Sequence, residues 1–259
     1  MGNFKFGYSF VNSTPTPSSE IAPYLATNLS LYANPIQCWR TNNVVTNSYV
    51  VFDYGSAKHI IGIVLVDVNF ATYAVAADAT DPTDTPSYRY PVGTGYNPII
   101  KDALYTQRYN IFIPVDFTYR YSMVYIPTQT PVDAAAYFRI GTVVHLESVL
   151  ELTVNPAYGD EEFADEKMES NEFRPGGFED IILGDRIWER SFDFPVHLTE
   201  EVNDLKTLNG LSKNENLIFY ENADDTSHVY VCRRRNPIKI SHANFRYNSI
   251  PTIYFKELR

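Results

Sequence analysis

Short apolar runs, separated by segments rich in proline, glycine and asparagine, most constrain what this chain can fold into. The clearest example is residues 48–70, "SYVVFDYGSAKHIIGIVLVDVNF", in which two apolar runs flank the polar stretch "GSAK". Short runs rich in β-branched and aromatic residues are typical of buried strands. We interpret residues 48–70 as a hairpin whose two strands belong to a β-sandwich.

Most other apolar segments also have strand length, among them "ATYAVAAD", "RYNIFIPVDF", "RYSMVYIP", "AAYFRIGTVVHLESVLEL", "NLIFYEN" and "HVYVCRRR". Trp39 directly precedes the first strands and is predicted to fill a core, although its ring could also stack on a sugar. A helix is predicted only near residues 199–209, where Thr199 can cap the first turn and Leu205 and Leu208 share one stripe. The sequence therefore predicts an all-β fold with one helix.

Composition divides the chain into three parts. Residues 1–36 contain four prolines, which favour an extended path, so we interpret them as an extended N-terminal arm, with an unstructured terminus as the alternative. Strand patterns fill residues 37–153. The acidic segment "AYGDEEFADEKMESNEF" follows and predicts a domain boundary near residues 153–156, with a second β domain at residues 154–259.

The charge balance argues against a nucleic-acid-binding protein. The formal net charge is -10, whereas binding to phosphates requires clustered lysine and arginine. No apolar run approaches the roughly 20 residues of a membrane-spanning helix, and the start "MGNFKFGYSF" lacks the apolar region of a signal peptide. We therefore expect synthesis in a cytoplasm and no membrane span.

The sequence contains no HExxH, GxSxG, Walker or GxGxxG motif, and its five histidines lack metal-ligand spacing. We therefore predict no catalytic residue, no cofactor and no metal, and expect a protein that is not an enzyme. Two alternatives stay open: Asp78, Asp81 and Asp84 could bind calcium rather than solvate a loop, and two carboxylates meeting in space could form a glycosidase site. Cys38 and Cys232 are predicted to be reduced thiols.

Two groups of residues are candidates for binding. The first lies in the long loop at residues 78–98: Tyr88, Arg89, Tyr90 and Tyr96. Aromatic faces beside an arginine suit a glycan and equally suit docking onto a partner protein. The second group could meet an acidic neighbouring subunit or a phosphate, with a solvated strand end as the alternative: Arg233, Arg234 and Arg235.

Three segments of the first half carry a resemblance: "CWRT" at residues 38–41, "YVVFDYGSAKHIIGIVLVDVNF" at 49–70 and "YFRIGTVVHL" at 137–146. In their order and content they resemble the galactose-binding-like, or discoidin-like, jelly roll found in bacteriophage tail proteins. The resemblance implies that a turn at Asp53 and Gly55 joins two core strands. It also implies that a strand with Arg139 and Gly141 closes the sandwich.

The second half resembles the tail-tube or distal-tail fold, through "RIWERSFDFPVHLTEEVNDLKTL", "NLIFYENADDTSHVYVCRR" and "IYFKEL". This resemblance implies a β-barrel or sandwich with one flanking helix. For the whole chain we therefore expect an N-terminal jelly-roll β-sandwich followed by a tail-tube-like β domain.

The two resemblances together imply a structural protein of a bacteriophage tail, at the distal tail, tail tip or baseplate. Such a protein would form a homo-oligomeric ring, contact tube, hub and fibre proteins, and let DNA pass through its channel without specific binding. Its location would be the virion tail, assembled in the cytoplasm of the host bacterium. The alternative function is a carbohydrate-binding module or host-surface recognition protein that binds a host glycan.

Overall fold

A computed structural model of the chain divides into two compact units. The first comprises Met1–Leu150 together with Tyr220–Val229, and the second comprises Glu151–Phe219 together with Tyr230–Arg259. The structure describes residues 5–30, 38–93, 95–98, 109–151, 161–165, 168–173, 177–182, 187–198, 203–211, 216–222, 225–235, 241–242 and 247–257. Within these ranges, no helix has both the length and the apolar character needed to cross a membrane.

Antiparallel strands dominate the described chain, so the predicted all-β class with a single α-helix is confirmed. The elements up to residue 151 are β1 Lys5–Val11, β2 Thr14–Pro17, a 3-10 helix Ala26–Ser30, β3 Trp39–Arg40, β4 Ser48–Val68, β5 Thr72–Asp78, β6 Tyr88–Tyr90, β7 Asn97–Pro98, β8 Tyr109–Ile126, β9 Arg139–Ile140 and β10 Thr142–Glu151. The later elements are β11 Glu161–Asp165, β12 Met168–Phe173, β13 Gly177–Ile182, β14 Ile187–Leu198, α1 Asn203–Gly210, β15 Leu217–Asn222, β16 Asp225–Arg234, β17 Ser241–His242 and β18 Tyr247–Glu257.

Two long paired strands, β4 with 21 residues and β8 with 18, organise the first unit. Their antiparallel register shifts between Asp53 and Lys58, where Gly55 adopts a φ of +75° that glycine tolerates well. Such a bulge bends a strand and increases its twist. The predicted hairpin at residues 48–70 is therefore wrong: the polar stretch "GSAK" forms part of a bulge inside one continuous strand.

The bend in β4 places its two halves in opposite layers of a β-sandwich. His145 of β10 lies opposite Ile63 of β4. Ile63 follows Phe52 by eleven residues, so in an unbent strand the two would be about 35 Å apart. Instead, the ring centroids of Phe52 and His145 are only 4.7 Å apart. One layer therefore contains the first half of β4, in the order β2-β4-β8-β5-β6. The other layer contains the second half of β4, in the order β1-β10-β4-β8.

The core of the first unit lies between these layers. Trp39 is fully buried there, and its indole nitrogen donates a hydrogen bond to the carbonyl oxygen of Ser19 at 3.0 Å. The predicted core role of Trp39 is thus confirmed. Other core side chains come from both layers, from β9 and from the residues next to these strands: Val50, Phe52, Ile60, Ile63, Leu65, Phe70, Ile111, Ile113, Val124, Ile126, Phe138 and Ile140.

Residues 5–30, which fall in the predicted N-terminal arm, lie within the first unit. β2 pairs with the first half of β4, and the side chains of Phe6 and Leu29 are buried. The Glu20 carboxylate accepts a hydrogen bond from the backbone amide of Ala26 at 2.8 Å. These residues therefore add strands and core to the sandwich, and the rest of the predicted arm lies outside the described residues.

A buried ion pair ties β9 to the end of β4. The Arg139 guanidinium donates a hydrogen bond to Asp67 Oδ1 at 3.3 Å and lies 3.9 Å from Asp133 Oδ2. Asn69 links the same groups: its amide nitrogen donates to Asp133 Oδ1 at 3.0 Å, and its oxygen accepts from the Arg139 backbone at 2.7 Å. Buried charges persist where partners satisfy them, so this network holds the closing strand in place.

The second unit contains a sheet of order β11-β14-β18-β16, with β17 paired to β18, and a separate β12-β13 pair. Leu205 and Leu208 of α1 are buried, as their shared stripe predicts. The aromatic rings of Phe219 and Phe255 stack with centroids 6.4 Å apart, and Tyr230 stacks on Phe219. The second unit thus buries one stripe of its helix and contains a cluster of stacked aromatic side chains.

Two predictions about the second half fall outside the described residues: the helix cap at Thr199 and the domain boundary near residues 153–156. The described helix begins at Asn203. Likeness to a tail-tube barrel or sandwich stays a prediction for this unit.

Gly141 provides a first test of the fold, since it lies against Val66 and Asp67 near the end of β4. A Cβ at position 141 would lie 3.0 Å from the Val66 carbonyl oxygen and 2.9 Å from the Asp67 Cβ. We expect Gly141→Ala to lower the free energy of unfolding by about 1–3 kcal/mol, because the backbone oxygen must shift. Urea unfolding measures this loss. Gly95→Ala is the control, since its nearest contact would be an ordinary 3.8 Å; equal stability of the two variants would contradict the prediction.

His145 provides a second test, because it is buried in the sandwich core. Its Nε2 lies 3.5 Å from the Ser122 hydroxyl, which is itself 2.5 Å from the Tyr54 hydroxyl. Burial lowers the pKa of His145 to about 3, against about 6.5 in an unfolded chain. Between these values the unfolded chain binds a proton that the folded chain does not. The free energy of unfolding therefore falls as the pH drops from about 6.5 toward 3.

We expect His145→Phe to flatten this acid-side decline, because phenylalanine fills the site without a titrating group. Urea unfolding at several pH values between 7 and 4, roughly the window set by the two pKa values, measures the slope. The exposed His59 gives the control variant His59→Phe, which should keep most of the wild-type slope. A His145→Phe slope equal to that of wild type would show that His145 does not contribute.

Candidate functional site

The outer face of the β2-β4-β8-β5-β6 layer carries a cluster of aromatic side chains. Successive strand residues point to opposite faces, so alternate residues of β4, β8 and β5 face away from the core. Val51 lies opposite Met123, and Met123 lies opposite Ala76, so the three form an apolar patch separate from the main core. Three half-buried tyrosines pack against this patch: Tyr49, Tyr121 and Tyr125.

Tyr96 and Arg89 extend the cluster toward β6. The rings of Tyr96 and Tyr125 stack, with centroids 5.9 Å apart and planes within 8° of parallel. Arg89 lies opposite Ala76 and thus on the outer face, with its Cζ 5.8 Å from the Tyr96 ring centroid. Its Nη2 donates a hydrogen bond to the Gly95 carbonyl oxygen at 3.4 Å. We call the following residues the tyrosine face: Tyr49, Arg89, Tyr96, Tyr121 and Tyr125.

The tyrosine face is accessible to solvent. Tyr96 exposes 42% of its surface, and the other three tyrosines are half-buried. Burial raises the pKa of the Tyr125 hydroxyl. The face therefore offers apolar rings that carry hydroxyl groups, together with the guanidinium of Arg89.

A closed ion pair lies beside the tyrosine face. The Arg120 guanidinium donates two hydrogen bonds to the Asp53 carboxylate, at 2.9 and 2.8 Å, and its Cζ lies 4.9 Å from the Tyr121 ring centroid. The Arg120 bond, with help from the Gly55 amide, lowers the pKa of Asp53 to about 2. Because the two charges neutralise each other, this pair borders the face without leaving a net charge on it.

The residues that the sequence singled out in the loop at 78–98 divide between two faces. Arg89 and Tyr96 come together on the tyrosine face, as described above. Tyr88 and Tyr90 lie opposite Ala77 and Val75 and pack against the sandwich core. Strand alternation in β6 separates them from Arg89, and whether any of the four binds a ligand stays a prediction.

Sequence inspection missed Tyr49, Tyr121 and Tyr125. A signal was present, because "YRYSMVYI" places Tyr121, Met123 and Tyr125 two positions apart, which is the spacing of one strand face. The sequence analysis placed the binding residues in a loop, whereas these three tyrosines lie in strands. The pairing of β8 with β4 and β5 places Tyr49 opposite Tyr125 and Ala76 opposite Met123. This pairing joins distant segments of the chain.

Two of the three aspartates that are candidate calcium ligands, Asp78 and Asp81, accept hydrogen bonds from within their own loop. Asp78 accepts hydrogen bonds from the backbone amides of Ala79 and Thr80 and from the amide and hydroxyl of Ser87. Asp81 accepts one from the amide of Thr83. Among the described residues there is no group of three or more potential metal ligands. Both cysteines are buried, and neither belongs to a disulfide.

The three arginines predicted to contact a partner lie at the end of β16. Arg234 is 6% exposed, and its guanidinium donates to Asn209 Oδ1 at 3.0 Å and to the Leu211 carbonyl oxygen at 2.9 Å. Arg233 is half-buried and donates to Asn216 at 2.7 Å. These contacts give Arg234 a structural role at the end of α1, while Arg235 is exposed.

No protein-family model and no curated protein matches the chain. Among solved structures, the chain is similar to chitosan-binding module 1 of a chitosanase/glucanase from Paenibacillus sp. IK-5, with 16% identity, 52% of this chain and 95% of that one covered, and a TM-score of 0.36. It is similar to the family 32 carbohydrate-binding module of AlyQ in complex with 4,5-unsaturated mannuronic acid, at 18% identity, 55% and 98% coverage and a TM-score of 0.39.

A third similar structure is the lectin domain of lectinolysin complexed with Lewis B antigen, at 13% identity, 53% and 94% coverage and a TM-score of 0.38. These neighbours are carbohydrate-binding proteins by their own descriptions, and none of the three is a phage tail protein. At such TM-scores the likeness assigns neither a family nor a ligand to this chain. The place in a phage tail stays a prediction that depends on the sequence resemblance alone.

A stability measurement tests the role of Arg234. We expect Arg234→Met to lower the free energy of unfolding by about 1–3 kcal/mol, since it removes two buried hydrogen bonds of a charged donor. The same substitution at the exposed neighbour, Arg235→Met, should cost less than about 1 kcal/mol. Equal losses in chemical unfolding would contradict a structural role that is specific to Arg234.

Proposed function

We propose that the first unit binds carbohydrate through the tyrosine face. The observation that carries this proposal is the parallel stack of Tyr96 on Tyr125 at the protein surface, next to Arg89. Tyrosine combines a large apolar ring with a polar hydroxyl and loses little side-chain entropy on binding. Sugars present an apolar face of C–H groups edged with hydroxyls, which matches this combination of surfaces.

The packing beneath the tyrosines supports the same function. The strands keep Tyr49, Tyr121 and Tyr125 in fixed positions through cross-strand packing on Val51, Met123 and Ala76. A rigid surface pays little ordering entropy when a ligand binds. The proposal assigns binding to this face and includes no catalytic step.

Glycan retention by the full chain tests the proposal. We expect Tyr96→Ala and Tyr125→Ala each to weaken binding to the retained glycans by about tenfold, because each removes one ring of the stack. A glycan array identifies ligands, and affinity electrophoresis then measures the variants. The matched control is Tyr254→Ala in the second unit, whose side chain is 45% exposed against 42% for Tyr96.

Two results would overturn the proposal. The first is the absence of retention on any glycan of the array by the folded chain. The second is retention that Tyr96→Ala and Tyr125→Ala leave unchanged, since the binding surface would then lie elsewhere. Circular dichroism of each variant confirms that a loss of binding does not come from a loss of fold.

A further inference from the structure

We infer that the tyrosine face selects glycans that carry carboxylate groups, such as polymers of uronic acids. This inference rests on the proposed function and specifies its ligand class. Its basis is Arg89, a guanidinium that lies on the sugar-facing surface and has no carboxylate partner among the described residues.

Among the described residues, the contacts of Arg89 do not compensate its charge. The guanidinium donates to one neutral acceptor there, the Gly95 carbonyl oxygen at a long 3.4 Å, and its Cζ lies 5.8 Å from the Tyr96 ring centroid. Its Nε is buried and has no hydrogen-bond partner. A guanidinium typically satisfies several of its five donors with carboxylate or carbonyl oxygens. The terminal nitrogens of Arg89 therefore have donor capacity to spare for an anion.

Two other arginines of the same unit have carboxylate partners. Arg120 makes two short hydrogen bonds to Asp53, and Arg139 lies between the carboxylates of Asp67 and Asp133. Arg40 instead lies against the rings of Tyr24 and Tyr137, with its Cζ 3.6 and 4.6 Å from their centroids. Arg89 differs from Arg120 and Arg139 in having no carboxylate partner among the described residues.

The position of Arg89 fits a sugar carboxylate. Arg89 lies opposite Ala76 on the outer face, where it is half-buried beside the exposed ring of Tyr96. A pyranose ring stacked over Tyr96 and Tyr125 would bring an equatorial carboxylate toward the terminal nitrogens. A carboxylate accepts two parallel hydrogen bonds from a guanidinium, and such charge-assisted bonds are roughly twice as strong as neutral ones.

Matched ligands separate charge from sugar shape. Polygalacturonate and polymannuronate are each compared with their fully methyl-esterified forms, which keep the backbone and remove the charge. We expect the full chain to bind at least one acidic polymer about tenfold or more tightly than its ester, with affinity falling as NaCl is raised. Affinity electrophoresis and isothermal titration calorimetry measure both ligands.

Variants locate the preference. Arg89→Gln should reduce binding of the acidic polymer to the level of the ester and leave ester binding unchanged, while Arg89→Lys should restore part of the preference. Lys206→Gln, an exposed position in the second unit, removes the same charge from the chain and should change neither ligand. A preference that Arg89→Gln leaves intact would overturn the inference.

The outcomes also separate this inference from the proposed function. Equal affinity for acid and ester, with both lost in Tyr96→Ala, overturns the acidic preference and retains glycan binding on the tyrosine face. Binding of neutral glycans only, if it is lost in Tyr96→Ala, likewise overturns the acidic preference and retains glycan binding on the tyrosine face. Failure to retain any glycan overturns the proposed function and the inference together.

Discussion

The bulge that bends β4 is the constraint on which the rest of the first unit depends. Without the turn in direction at Gly55, Phe52 could not reach His145, and the apolar runs on either side of "GSAK" could not share a core. Bending lets one strand serve both layers, and β8 follows it across the whole pairing. On the outer side of the first layer, Val51, Ala76 and Met123 are buried beneath half-buried tyrosines.

Strand alternation then decides which aromatic residues belong to the core and which face solvent. In β6 it directs Tyr88 and Tyr90 inward and Arg89 outward, although all three are adjacent in the chain. In β8 it directs Ser122 and Val124 inward and Tyr121 and Tyr125 outward. A chain with 20 tyrosines thus uses the same residue type in its core and on the tyrosine face.

The sequence predicts those features that depend on local patterns: the strands, the helix at Leu205 and Leu208, and the buried Trp39. It fails where the outcome depends on pairing between distant strands. The pattern around Gly55 is the same for a hairpin and for a bulge, and only the continuous partner β8 distinguishes them. Tyr49, Tyr121 and Tyr96 are far apart in the chain, so their proximity follows from register, which a one-residue slip would reverse.

The treatment of arginine distinguishes structure from function in this unit. Where a guanidinium is needed for the fold, as at Arg139, the chain surrounds it with carboxylates and amides, because a buried charge without partners is costly. Arg89 is only half-buried, so the fold tolerates it with one weak acceptor. Its Cζ lies 5.8 Å from the ring centroid of Tyr96, which stacks on Tyr125, and this placement is the basis for the proposed anionic ligand.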